Sequence, residues 1–323
     1  MLDFYNKINQ NTIISFNFKA LKTINFKMLN YLRKLIYKYY FIQIIASYVF
    51  SYLYFLTNKK KIRIYYKNHA WIHETFLGNF ASTHPIRKSE KYLMNDLPFF
   101  LKYYECKQGD IIFDAGAGIG TETIYFSKLV GNSGKVFALE ANPEVYKLLL
   151  KTIELNKIKN VVPINLAVYS SSNQNVKFKS NMMEWLGGGI NETSGNISVK
   201  TISFDDIIEY HKIKKINFAK FNIEGSEKYL LSGKKNFIKT CENVCISCHD
   251  FLENNLNNTS ESIKVLLRDN EFSLLQGNQN IKNLRKELLY YLYATKQNNY
   301  YANTNKTDLI NDDYKFFKSL KIY

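Results

Sequence analysis

The chain has 323 residues, 46% hydrophobic and 15% aromatic, with four cysteines and a formal net charge of +16. Such an apolar content over that length excludes an intrinsically disordered chain and a small disulfide-stapled scaffold, and fits one α/β domain with an appendage. The charge is uneven: residues 1–80 hold twelve lysines and arginines against only Asp3 and Glu74. Such a basic arm suits phosphate, whether of nucleic acid or of an anionic membrane, although drift toward Lys, Asn, Ile and Tyr along the whole chain explains the same numbers more plainly.

From Tyr39 to Leu56 the sequence YYFIQIIASYVFSYLYFL runs eighteen residues without a charge, between Arg33, Lys34 and Lys38 on one side and KKKIR (59–63) on the other. Its length grazes the lower limit for a membrane-spanning helix, but five tyrosines, Gln43 and two serines suit an interface better than a hydrocarbon centre. Three placements stay open: packed on a domain, lying on a membrane with lysines at the headgroups, or spanning it. The start of the chain lacks the pattern of a secretory signal and the cysteines are few, so a reducing, cytoplasmic setting is expected, with peripheral membrane contact through residues 33–63 as an option. His69, Trp71, His73 and His84 follow at spacings that match no metal motif.

From Asp110 the punctuation becomes regular. DIIFDAG ends an apolar run in acid and glycine, TETIYFSKLV has helical spacing, GNSG turns, and KVFALE is a second apolar run. PEVYKLLLKTIELN is helical with Pro143 in its first turn, VVPINLAV is a third strand, and INFAKFNI, SEKYLLSGKKNFIKT and NVCISCHDF continue the alternation. Strands alternating with helices predict a doubly wound, mostly parallel sheet, whose ligands sit beyond the carboxyl ends of the strands.

At the first strand end Asp114 precedes Gly116, Gly118 and Gly120, and Thr121 opens a helix. The G-x-G-x-G spacing differs from the G-x-G-x-x-G of dinucleotide binders. The second strand ends at Glu140, where a carboxylate can accept hydrogen bonds from two ribose hydroxyls. Acid, three glycines and a second acid together fit an adenosyl ligand with a short amino-acid tail, S-adenosyl-L-methionine. Asp114 is expected near its amino end, Ala141 beside Glu140, and Leu166, Ala167 and Val168 along its adenine.

IIFDAGAGIGTET (111–123), VFALEANPEVYKLL (136–149), LAVYSSSNQNVKF (166–178), SFDDII (203–208) and INFAKFNIEGSEKYLLSG (216–233) together resemble the FkbM family of S-adenosylmethionine-dependent methyltransferases, over about residues 86–253. The strand running into E-G-S-E is the specific element, since the glycine turn is widespread. The resemblance implies a class I methyltransferase fold (Rossmann-like) and methyl transfer to a hydroxyl oxygen of a sugar, glycan or natural-product acceptor. It also assigns Asp114, Gly116, Gly118, Gly120 and Glu140 to the cofactor. The family usually has Asp where this chain has Asn222, and residues 1–85 lie outside the match.

Methyl transfer to a hydroxyl needs alignment and a base. Glu224 and His249 are the candidates at the later strand ends, with Asp250 as an orienter of His249 and Glu227 better read as a helix-start carboxylate. Asn222 cannot act as a base and is a weak ligand for a hard metal, so no metal is assigned and its expected role is to orient acceptor or cofactor. CISCH (245–249) spells a haem-attachment pattern, but strand alternation puts Cys245 and Cys248 on opposite faces. NMMEWLGGGINETSGN (181–196) reads as a mobile acceptor lid, and its NETS, like NNTS further on, matches a glycosylation sequon of little weight. EFSLLQGN and ELLYYLYATK are expected to close the sheet as an antiparallel hairpin.

The expected organisation is a basic, aromatic N-terminal helical extension over 1–85, a methyltransferase domain over 86–296 and a polar tail over 297–323. RNA or protein methylation, or a non-catalytic adenosyl-binding or membrane-tethered interaction protein, are the alternatives.

Overall fold

The structure is a computed structural model describing residues 39–58, 62–86, 89, 93, 96–181, 184–191, 193–231, 236–249, 259–277 and 286–296. The start of the basic arm, Asp250 and the expected tail lie outside these residues. The chain divides into two compact units, Met1–Leu93 and Met94–Tyr323.

In the first unit, helix α1 (Tyr40–Asn58) precedes strands β1 (Arg63–Lys67), β2 (Ala70–Glu74) and β3 (Asn79–Ser82). The extension expected to be helical therefore also holds a three-stranded antiparallel sheet, in the order β1-β2-β3. Asn68 and His69 both take positive φ, 49° and 61°, the backbone that a two-residue hairpin demands between right-twisted strands. Trp71, Ile64, Ile62 and Ala46 pack together as a small core. Beside it His73 is wholly buried, its ring between the hydroxyls of Ser89 (2.8 Å) and Ser82 (2.9 Å) and stacked on Phe80.

The second unit follows the predicted alternation. β4 (Ile111–Ala115), α2 (Thr121–Val130), β5 (Lys135–Leu139), α3 (Pro143–Leu155) and β6 (Val161–Ile164) are as expected, and Asn142 caps α3 by accepting the Glu144 N–H. The third run splits, because β7 (Ala167–Val168) leaves the main sheet and joins β8 (Asn175–Asn181), β9 (Glu184–Ile190) and β10 (Ile197–Ile202) in a separate sheet ordered β7-β10-β8-β9. After α4 (Phe204–His211), β11 (Phe218–Phe221) and β12 (Asn243–Ser247) return to the main sheet. A 3-10 turn (Ser226–Leu231) and the short α5 (Asn236–Thr240) replace the single helix expected between them. α6 (Thr259–Asp269), β13 (Ser273–Leu274) and β14 (Tyr291–Thr295) complete the described unit.

The main sheet reads β13-β14-β12-β11-β4-β5-β6. Its central strands are parallel, and β14 runs antiparallel to both β12 and β13, the closing pair that the sequence predicts. This is the doubly wound order of a class I methyltransferase. β4 lies between β5, which follows it, and β11, which comes much later, so chain order reverses there and a crevice opens above both strands. Phe113, Phe137, Phe204, Phe221 and Phe237 fill one side of the sheet at this switch point.

Candidate active site

The crevice holds a cleft with about 730 Å³ of empty space, counting its open mouth. The three glycines above β4 do different things there. A Cβ on Gly116 would stand 2.0 Å from the backbone oxygen of Asn222, so only a glycine lets the ends of β4 and β11 close on each other. Gly118 has nothing within 4 Å of a built Cβ and lines the cleft, whereas a side chain on Gly120 would strike Leu149 and Thr152 of α3. Gly120, expected to touch a cofactor, instead serves close packing of the turn on a helix and is absent from the cleft wall.

Glu140 ends β5 at the cleft. Its Oε2 accepts the Gly118 N–H at 3.0 Å and its Oε1 accepts the Asn142 N–H at 2.8 Å, which fixes the carboxylate against the glycine turn. Burial pushes this carboxyl up to about 7, and those two N–H donors hold it below where burial alone would put it. Ala141, Leu166, Ala167 and Val168 line the same cleft.

Asp114 is elsewhere. Its carboxylate is wholly buried beneath the turn, where Oδ1 receives the Lys220 ammonium at 2.8 Å and Oδ2 the Thr123 hydroxyl at 2.6 Å. Lys220 also donates to the Gly116 carbonyl at 2.8 Å, so one lysine ties the acid of β4 to the first glycine of the turn. The two residues face each other in register across β11 and β4, and Lys220 is as buried as its partner. Burial works against the lysine's charge, but Asp114 first and Glu122 second outweigh it and raise its proton affinity. Sequence reasoning missed Lys220, although a lysine inside the apolar run INFAKF of a central strand was the available signal.

Beyond β11, Asn222 and Glu224 both reach the cleft. Glu224 takes a φ of 51° and Gly225 one of 89°, so the chain turns left-handed where the acid is presented. Strand β9 lies against this turn: a Cβ on Gly189 would sit 2.6 Å from the Glu224 carbonyl oxygen, while Gly188 and Ile190 line the cleft. The glycine run expected as a mobile lid is thus part of a strand paired to β8, and glycine is used there for close backbone approach.

Behind Glu224 sits His249, following β12. Its Nδ1 is 2.7 Å from Oε1 of buried Glu227, and its Nε2 is 3.6 Å from Oε2 of Glu224, close enough for strong attraction but too long for a hydrogen bond. Burial lowers the imidazole's proton affinity, yet Glu227 first and Glu224 next reverse this and raise it to about 9. His249 therefore carries its proton at neutral pH and is ill suited to be the base; a cation that orients Glu224 is the role its position fits. Glu227, read from sequence as a helix-start carboxylate, holds the orienting place expected of Asp250. Cys245 and Cys248 are buried thiols outside any disulfide, and among the described residues no group of three potential metal ligands gathers.

Residues 114–295 match the family described as Methyltransferase FkbM domain. Hexuronic acid methyltransferase AglP of Haloferax volcanii is 28% identical over 145 residues, 45% of this chain and 58% of that protein. A tRNA (guanine(37)-N(1))-methyltransferase, Trm5b of Pyrococcus abyssi, is 41% identical over 58 residues, 18% of this chain and 17% of that protein. The chain thus spans little more than half the length of the first of these relatives and far less of the second. Similar solved structures include Methanocaldococcus jannaschii TYW2 in complex with AdoMet, at a TM-score of 0.39 and 16% identity over 72% of this chain and 88% of that one. Aeropyrum pernix fibrillarin with bound S-adenosyl-L-methionine aligns at 0.38 and 12% over 73% of this chain and 100% of that one.

Proposed function

The chain belongs to the methyltransferase FkbM domain family, and from that premise we propose that it carries the methyl group of S-adenosyl-L-methionine to an uncharged hydroxyl of a sugar, glycan or other natural-product acceptor. The residues present fit the donor. Gly118 leaves open space at the turn, Glu140 offers carboxylate oxygens to ribose hydroxyls, and Ala141, Ala167 and Val168 give an apolar wall for an adenine. When bound, S-adenosyl-L-methionine supplies an electrophilic methyl group on a sulfonium.

The chain's own residues then divide the work. Glu224, with the His249 ring 3.6 Å behind its carboxylate, takes the proton of the acceptor hydroxyl as the oxygen attacks. Asn222 orients that hydroxyl through its amide, and the β9 backbone at Gly188 and Ile190 narrows the mouth of the cleft. Lys220 and Asp114 work from beneath, holding the turn rather than touching the donor.

The observation that carries this reading is the charge of the cleft wall. Among the described residues it contains two acidic side chains, Glu224 and a Glu140 that burial raises to about 7, and no lysine or arginine. A polyanion or an acceptor carboxylate would be repelled there, and a carboxylate acceptor needs no base. The experiment supplies label-bearing donor with neutral glycans, uronic acid-containing glycans and RNA. Label in neutral glycans, stable to mild base as an ether is, supports the proposal. Base-labile label on uronic acids points to ester formation instead, and label in RNA with a steep salt dependence points to the second reading, for which the basic arm speaks.

A further inference from the structure

We propose that the outward face of α1 is a docking surface for a membrane leaflet rich in anionic lipid. A helix beside a sheet ordinarily turns its apolar stripe inward and its polar residues to water. In α1 polar residues turn inward beside Ala46, and several large apolar ones turn outward. Gln43, Ser47 and Ser51 recur every fourth residue; Gln43 is buried, and the two serines face β1. The Ser51 hydroxyl accepts the Ile64 N–H at 2.9 Å and donates to the Ile64 carbonyl at 3.2 Å, and the Ser47 hydroxyl accepts the Tyr66 N–H at 3.3 Å while donating to the Gln43 carbonyl at 2.7 Å. β1 is an edge strand, and these serines satisfy backbone groups that would otherwise stand open along that edge.

Among the described side chains of the helix, the large ones that turn outward are well exposed. Phe41 is 71% exposed, Tyr48 76% and Tyr52 62%, and Ile45, Val49 and Phe55 share their exposure. A contiguous face of this kind on a helix without a single charge marks an interaction site. Charge complementarity identifies the occupant. The helix is bracketed in sequence by Arg33, Lys34 and Lys38 before it and by Lys59, Lys60, Lys61 and Arg63 after it, with no acid between Asp3 and Glu74. Aromatic residues in an uncharged helix, flanked by cations at both ends, match the headgroup boundary of an anionic bilayer. Among the described residues no helix is long and apolar enough to cross a membrane.

The test sediments the full chain with vesicles of phosphatidylcholine alone and of phosphatidylcholine mixed with phosphatidylglycerol. The proposal expects pelleting with the anionic vesicles, at least about tenfold weaker with neutral ones, and release by salt. The triple substitution Phe41→Ser, Tyr48→Ser and Tyr52→Ser should weaken vesicle binding by at least about tenfold while leaving affinity for S-adenosylhomocysteine unchanged, which also reports that the catalytic unit is folded. The salt and lipid dependence of the unaltered chain decide the matter even if that variant does not fold. A chain that stays in the supernatant, or a folded variant that pellets like the parent, overturns the proposal. Equal pelleting with both vesicle types overturns the anionic assignment. A dimer in vesicle-free solution that the triple variant converts to monomer shows that a second copy covers the face, and overturns the membrane as its occupant.

Discussion

Glu224 is presented to the cleft by a left-handed backbone, with β9 pressed on its carbonyl and an imidazolium 3.6 Å behind its carboxylate. A non-glycine residue in that conformation costs free energy that the surrounding packing must offset, which is how active sites are often built. Glu224→Gln keeps the shape and removes the base, so kcat should fall by about 10²–10⁴ while S-adenosylhomocysteine binds as before. Unchanged turnover would move the proton to another group. Glu227→Gln leaves Glu224 in place but removes the main support of the His249 charge, so the alkaline limb of the pH–rate profile should shift to lower pH, an effect that mere loosening of structure would not produce. The Asn222–Glu224 pair could be read from sequence because a strand, a turn and an acid lie within a few residues. The Glu227–His249 pair could not, since 22 residues separate partners brought together by adjacent parallel strands.

At the scale of elements, the glycine turn and the strand ends form one joint. Gly116 is where β4 and β11 meet, and Lys220 staples the same place from below. Gly116→Ala would force a methyl group within 2.0 Å of the Asn222 carbonyl, so the strand ends must part; a loss of roughly 2–4 kcal/mol and of ligand binding is expected. Gly118→Ala meets no protein atom within 4 Å and should cost only about 1 kcal/mol for its positive φ, yet it protrudes into the cleft and should weaken binding of S-adenosylhomocysteine. Thermal unfolding and titration calorimetry on the two variants separate these effects; equal destabilisation would refute the division of roles. Periodicity was enough to locate the main sheet, because apolar runs alternate there with helical spacing. It missed the β7-β10-β8-β9 sheet, because LGGGI carries few side chains to alternate and its glycines answer to a neighbouring backbone.

Across the whole molecule the two units hold buried histidines of opposite sign. In the first unit burial lowers His73 to about 3, so its native ring stays neutral and its contribution to stability is lost as pH falls from 6.5 toward 3. In the second unit Glu227 and Glu224 overcome burial and raise His249 to about 9, so its contribution is complete below 6.5 and is lost as pH rises through 9. Glu140 acts in the same sense, since a carboxyl raised to about 7 by burial makes the folded unit progressively less stable between pH 4.5 and 7. As upper bounds these titrations amount to roughly 5 kcal/mol for His73 and roughly 3 kcal/mol for His249. Acid should therefore open the first unit while the second is at its firmest, and alkali the reverse. The chain has two tryptophans, and Trp185→Phe leaves buried Trp71 as the reporter of the first unit. Its emission should shift to the red below pH 6.5, and His73→Gln should flatten that response. Amide protection in β12, corrected for intrinsic exchange, should instead fall between pH 6.5 and 9 and lose this slope in His249→Gln. A single transition in which Trp71 emission and β12 protection change together at either extreme would show that the two histidines do not control stability separately.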